Sequence, residues 1–236
     1  MKKGFVVFMQ LALIFVIGAP VFSQPSEKSV ETTLIDNFDT PDQMEWTWSV
    51  QASRFIADGY PVLKYSKGIS HSLRPFVKEG DPEPQVLGVK VAYNRKGDNW
   101  FEVYPKDKNG NAYEIPFRGT VSQIDFWVWG ANYNYTLELL VRDANGVVRK
   151  IEAGTLGFDG WKNIVLNVPG WIPQHSRFRN GRKVLTFVGF RVRSAPSEAV
   201  DNFVIYFDQL KFTSSTVAGV YDGYELSEAD FGESSN

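Results

Sequence analysis

Gln123-Ile124-Asp125-Phe126-Trp127-Val128-Trp129 changes character at every second residue. Successive side chains of an extended chain point to opposite faces. Ile124, Phe126 and Val128 therefore share one face, and Asp125, Trp127 and Trp129 share the other. The stretch predicts a strand with a core face and a second face carrying two large rings and an acid. Toward the C-terminus, residues 136–142 and 147–152 flank Asp143-Ala144-Asn145-Gly146. Asn-Gly supplies the positive φ angles of a tight turn, so this segment predicts a β-hairpin. Asn109-Gly110, between residues 100–104 and 113–115, predicts a second one. Further strands read at 34–38, 46–50, 86–93, 161–168, 184–193 and 203–212. Gly80-Asp81-Pro82-Glu83-Pro84 reads as a rigid loop, because proline restricts the chain and cannot donate to a ladder. After the first 23 residues no amphipathic helix longer than about two turns is apparent. The pattern predicts an all-β, two-sheet antiparallel β-sandwich. The favoured topology is a jelly roll with the first and last strands as partners.

The chain opens on Lys2 and Lys3, followed by an apolar stretch over residues 5–17. Gly18 and Pro20 then break it, ahead of Val21-Phe22-Ser23. This is the layout of a secretory signal cleaved after Ser23, and the run is too short for a membrane span. The expected organisation is a signal peptide over 1–23, an N-terminal extension over 24–33, a β-sandwich over 34–213 and an acidic, aromatic-containing tail over 214–236. Hydrophobic content of 43% and charged content of 22% suit a folded domain. A net charge of −2 gives no general attraction to nucleic acid. The absence of cysteine excludes thiolate zinc sites, thiol nucleophiles and redox motifs, and export without disulfides fits a bacterial periplasm or surface better than a eukaryotic secreted scaffold. Aromatics make up 15% of the chain, with seven Trp. Most such rings pack in a β core, and the rest are candidates for recognition.

Two regions depart from charge balance. Residues 175–193 carry Arg177, Arg179, Arg182, Lys183, Arg191 and Arg193 with no acid. Residues 217–236 carry Asp222, Glu225, Glu228, Asp230 and Glu233 with no base, together with Tyr221, Tyr224, Leu226 and Phe231. Arg177, Arg179, Arg182, Tyr221, Tyr224 and Phe231 are therefore candidate partner-binding residues: planar guanidinium forks pair with carboxylates, and a mixed acidic and aromatic tail suits docking. No catalytic residue is assigned. His71 and His175 lie outside metal-ligand spacing, and neither a nucleophile elbow nor a phosphate-binding glycine loop is present. Asp36, Asp39 and Asp208 could offer hard oxygen ligands. The favoured reading caps a turn with the first two and leaves Asp208 facing water, so no metal and no cofactor is expected.

Several segments resemble the spirochaete flagellar filament outer-layer (sheath) protein FlaA family. They are Ile124-Asp125-Phe126-Trp127-Val128-Trp129-Gly130, then Asn132-Tyr133-Asn134-Tyr135, then Leu137-Glu138-Leu139-Leu140-Val141-Arg142-Asp143. Gly160-Trp161-Lys162-Asn163, Val168-Pro169, residues 185–193 and Asn202-Phe203-Val204-Ile205-Tyr206-Phe207-Asp208-Gln209-Leu210 carry the likeness onward. It covers about residues 34–212, and the chain looks like a short paralogue. The resemblance implies a non-catalytic structural subunit of the periplasmic flagellar filament. Its implied partners are FlaB-type core flagellin and other sheath proteins, including FlaA-type paralogues, arranged as a helical array. The implied role is in filament shape, stiffness and motility. An alternative reading is a periplasmic carbohydrate-binding module. Asp36-Asn37-Phe38-Asp39, Trp46, Trp48 and the closing strand also look like sugar-binding β-sandwiches, and Trp127, Trp129, Tyr133 and Tyr135 would then form an aromatic surface for glycan rings.

Overall fold

The computed structural model describes residues 28–176 and 183–217. Fourteen strands occur among them. They are β1 (Lys28–Asp36), β2 (Thr47–Ala52), β3 (Val62–Lys67), β4 (Gln85–Val91), β5 (Trp100–Lys106), β6 (Ile115–Pro116) and β7 (Thr120–Ala131). β8 (Tyr135–Arg142), β9 (Val148–Thr155), β10 (Asp159–Asn167), β11 (His175–Ser176), β12 (Lys183–Val184), β13 (Thr186–Ser194) and β14 (Phe203–Val217) follow. One sheet runs β10-β7-β14-β4-β3, with β1 also on β14. The other runs β2-β5-β13-β8-β9, with β6 also on β13. Their pairings are antiparallel, giving the two-sheet jelly-roll sandwich read from the sequence.

Period-two alternation positions the core. Ile124, Phe126 and Val128 of β7 are buried, as are Phe203, Ile205 and Phe207 of β14 and Leu87, Val89 and Val91 of β4. They meet Phe101 and Val103 of β5, Leu137, Leu139 and Val141 of β8, and Phe187, Phe190 and Val192 of β13. Phe190 stands at the centre, its ring 4.5 Å from Phe207 and 4.9 Å from Phe126 across the sandwich. At one end, the buried carboxylate of Asp36 accepts the Trp48 indole N–H at 2.8 Å and the backbone N–H of Phe38. Phe38 takes positive φ there, which turns the chain out of β1.

The first and last strands pair as expected, from Lys28↔Val217 to Asp36↔Leu210. Both run longer than the apolar alternation. Residues 28–33 and 213–217, read as an extension and as the end of the domain with the start of the tail, lie in this ladder. Their sequences, Lys-Ser-Val-Glu-Thr-Thr and Thr-Ser-Ser-Thr-Val, have no apolar face to betray a strand. Backbone pairing and polar contacts such as Thr32 Oγ1 to Thr213 Oγ1, 2.8 Å apart, hold them. β3 likewise forms where the sequence pattern marks no strand.

The Asn145-Gly146 hairpin forms between β8 and β9, with Gly146 at φ 86°. The Asn109-Gly110 turn forms too, with Asp107 accepting N–H bonds from Asn109 and Asn111. Its returning strand does not stay on β5, however. After the bridge Lys106↔Ala112, Ile115 and Pro116 pair with β13 instead. The reason is occupancy: β5 already holds β2 on one edge and β13 on the other.

Gly189 of β13 lies against the backbone of β5. A Cβ there would sit 2.5 Å from the Val103 carbonyl oxygen and 3.1 Å from Tyr104 Cβ. Gly189→Ala is expected to force the strands apart and lower stability by about 1–3 kcal/mol. Urea unfolding measures this, and an unchanged midpoint would refute it.

Candidate binding face

The outer face of the first sheet carries a continuous cross-strand row. Trp161 of β10 pairs in register with Trp129 of β7, which pairs with Tyr206 of β14. Tyr206 pairs with Gly88 of β4, and Gly88 with Lys64 of β3. The alternation that buries Phe126, Val128, Ile205 and Phe207 places these rings on the solvent side. All three rings are half-buried. Tyr206 lies over Gly88, where an added Cβ would come within 2.7 Å of its ring. The missing side chain thus lets the tyrosine ring lie low on the sheet. Trp129 meets Tyr206 edge-on at 5.5 Å.

Two shallow depressions flank Tyr206. One, of about 190 Å³, is lined by Ser66, Lys67, Gly68, Val86, Trp129, Trp161 and Tyr206. The other, of about 220 Å³, adds Val62, Lys64, Lys90 and Val204. No carboxylate lines either one. Lys67 is paired with Glu83 at 2.7 Å, while Lys64 and Lys90 have no ion-pair partner among the described residues. Chemically the face offers flat apolar rings bordered by free ammonium groups.

The four aromatics expected to form one surface divide between surface and interior. Trp127 and Trp129 are half-buried on the outer face. Tyr135 is 0% exposed, stacked 4.4 Å from Phe203, with its hydroxyl donating to the Ala199 carbonyl. Tyr133 packs edge-on against Phe203 and donates to the Asp201 carbonyl. Burial raises both phenol pKa values, so these rings are neutral structural hydrogen-bond donors. The chain changes sheets between β7 and β8, which turns the tyrosines toward the core end. Trp161 and Tyr206 stand in the family-like motifs, but neither they nor Gly88, Lys64 and Lys90 are marked by the sequence as members of one surface. Each sits at an outward position of its own strand, but only the inter-strand register joins them.

The outer face of the second sheet is different. Arg191 pairs with Glu102 at 2.7 Å and lies over the Trp100 ring at 5.1 Å. Arg193 pairs with Asp98 and Arg142 with Glu114, while Arg149, opposite the buried Val141 on the inner side of the sheet, pairs with Asp143. Two cations of the basic stretch, Arg191 and Arg193, are therefore held within the chain. Arg177, Arg179, Arg182, Tyr221, Tyr224 and Phe231 lie outside the described residues.

The acids near the first and last strands are engaged locally. Asp36 serves Trp48 and Phe38, and Asp39 accepts from Gln85 N–H and Asn37 Nδ2. Asp208 is 2% exposed rather than facing water. It lines a cavity of about 480 Å³ with Asp39, Asp81, Lys211 and the apolar Leu73 and Phe76 of the connection between β3 and β4. Among the described residues no group of three or more potential ligands is arranged to hold a metal. No helix among them is long and apolar enough to cross a membrane.

Comparison with known proteins adds the family context. The family model for the flagellar filament outer layer protein FlaA matches residues 28–221. A flagellar filament outer layer-like protein of Brachyspira hyodysenteriae is 28% identical over 183 residues, 78% of each chain. The flagellar filament outer layer protein of Spirochaeta aurantia is 36% identical over 127 residues, 54% of this chain and 34% of that one. That of Borreliella burgdorferi is 29% identical over 146 residues, 53% of this chain and 43% of that one. The aligned region thus spans less than half the length of the last two. Among solved structures, the family 11 carbohydrate-binding module of the Clostridium thermocellum cellulase Lic26A-Cel5E has a TM-score of 0.44 at 13% identity, over 78% of this chain and 95% of that one. A β-sandwich carbohydrate-binding module reaches 0.46 at 12% identity, over 76% and 60%. Both likenesses are remote.

Proposed function

This chain belongs to the FlaA family of flagellar filament outer layer proteins, and from that premise we propose that it is a non-catalytic structural subunit of the sheath of a periplasmic flagellar filament. It coats a FlaB-type flagellin core beside FlaA-type paralogues, as part of a helical array, and influences filament shape and stiffness. Export is by the cleaved signal at residues 1–23. The family match across residues 28–221 is the observation that carries this reading. A β-sandwich with two chemically different outer faces also suits the role, because contacts between unlike patches build open helical arrays. Many weak contacts along a filament together give firm attachment.

Mass spectrometry of purified periplasmic flagella, with immunogold labelling, tests the proposal. Abundance near that of the core flagellin, with label along the shaft, is expected. Absence from the filament would overturn it and bring the carbohydrate-binding reading forward, with the outer-face rings as the sugar platform. A second prediction concerns the basic stretch. Reversing Arg177, Arg179 and Arg182 to Glu should release the protein from filaments, by about tenfold or more in occupancy, while leaving it folded. Unchanged incorporation would remove these residues from the interface.

A further inference from the structure

The outer face of the first sheet combines a Trp161–Trp129–Tyr206 row with the cations Lys64 and Lys90, and no carboxylate lines its depressions. In the same chain, residues 218–236 hold five acids, no base, and Tyr221, Tyr224, Leu226 and Phe231. Each surface supplies what the other lacks. Rings and valines meet rings and Leu226, while unpaired ammonium groups meet carboxylates. We propose that this face receives the acidic segment 218–236 of a second copy of the chain, so that copies join head to tail.

Reach limits which residues of the segment the chain's own row can receive. Tyr206 stands near the start of β14, and the segment leaves from the far end of that strand at Val217. At about 3.3 Å per residue the two are roughly 35 Å apart. Seven residues of fully extended chain separate Val217 from Tyr224 and span at most about 25 Å. Tyr221, Tyr224 and Leu226 therefore fall short of their own sheet's row, and only the residues from about Glu228 onward could come back to it, so seating these three apolar side chains on the row takes a second copy. A neighbour placed beyond the end of β14 can present its row to them. The contact is heterologous, joining the end of one copy to the face of the next, and such contacts propagate into open assemblies. The second sheet is less suited as receiver, since Arg142, Arg191 and Arg193 of its outer face already have acidic partners and Glu102 and Glu138 stand beside Arg191 there.

The inference goes beyond the sheath reading and is tested apart from filaments. Purified full-length protein is followed by sedimentation velocity over a concentration series. Reversible association is expected, and excess synthetic peptide of residues 218–236 should return the protein to monomer. Lys64→Glu with Lys90→Glu, and separately Tyr206→Ala, should weaken association by about tenfold or more, with circular dichroism unchanged. The same peptide with its acids replaced by the matching amides should compete poorly. A monomer at every concentration with no peptide binding would overturn the proposal. So would association that survives both the peptide and the lysine reversal, because the interface then lies elsewhere. Binding of polygalacturonate to the lysine and tyrosine face, without peptide binding, would assign the face to an acidic saccharide and likewise overturn it. Any of these results with the protein still found on filaments would leave the sheath reading standing.

Discussion

Phe190→Ala should lower the stability of the sandwich by about 3–5 kcal/mol, the largest effect expected of any single substitution considered. Phe190 is fully buried on β13, the middle strand of its sheet. Its ring stacks on Phe207 at 4.5 Å and meets Phe126 at 4.9 Å, both from the opposite sheet. Phe187 and Trp48 close the cluster at 5.2 and 6.3 Å. Truncation removes the transfer energy of the ring and leaves a cavity that paired strands on both sides cannot collapse to fill. Domains of this kind are stable by only about 5–15 kcal/mol, so the variant should lose a large part of its margin. Urea denaturation should show a much lower midpoint. Phe76→Ala is the control: that ring is 75% exposed, and its removal should change little. Equal effects at the two sites would mean that the Phe190 cluster does not hold the sheets together.

Asp208 should make stability fall as pH rises. Burial pushes its carboxyl up to about 7, and the neighbouring carboxylates of Asp39 and Asp36 push the same way, against the backbone N–H of Gln209. In the unfolded chain the group titrates near its ordinary value of 3.8. A raised folded-state value means that its stabilising contribution is complete below about pH 3.8 and is lost as pH rises through about 7. Between pH 5 and pH 8 the loss is about 2–3 kcal/mol, at 1.36 kcal/mol per pH unit from pH 5 to about 7 and little beyond. Asp208→Asn keeps the shape and an acceptor for Gln209 but cannot ionise. It should flatten the profile and exceed the parent's stability at pH 8, with the advantage fading toward pH 5. Asp36 and Asp39 are themselves shifted upward, chiefly by burial, so a smaller slope of the same sign should remain. Thermal unfolding at pH 5, 6.5 and 8 measures this, and parallel profiles for the two proteins would refute it.

The alternation in residues 123–129 determined, without any structure, that Ile124, Phe126 and Val128 face a core and that Trp127 and Trp129 face away from it. Asn145-Gly146 determined its hairpin, because positive φ is a local demand that the local sequence must meet. The motifs shared with the FlaA family are likewise a property of the sequence alone. Tertiary structure decided what depends on neighbours from far along the chain. It extended β1 and β14 through polar residues, since ladder bonds do not require apolar side chains. It sent the strand after Asn109-Gly110 to β13, because both edges of β5 were taken. Asp208, an outward position by simple alternation, is buried where the connection between β3 and β4 helps to line the cavity around it. Tyr135 became a core ring when the chain crossed between sheets. The row Trp161–Trp129–Tyr206–Gly88–Lys64 draws on five strands and exists only once their register is set. Periodicity gives a residue its side of a strand, and register gives it its neighbours; the second is a long-range property that no local pattern encodes.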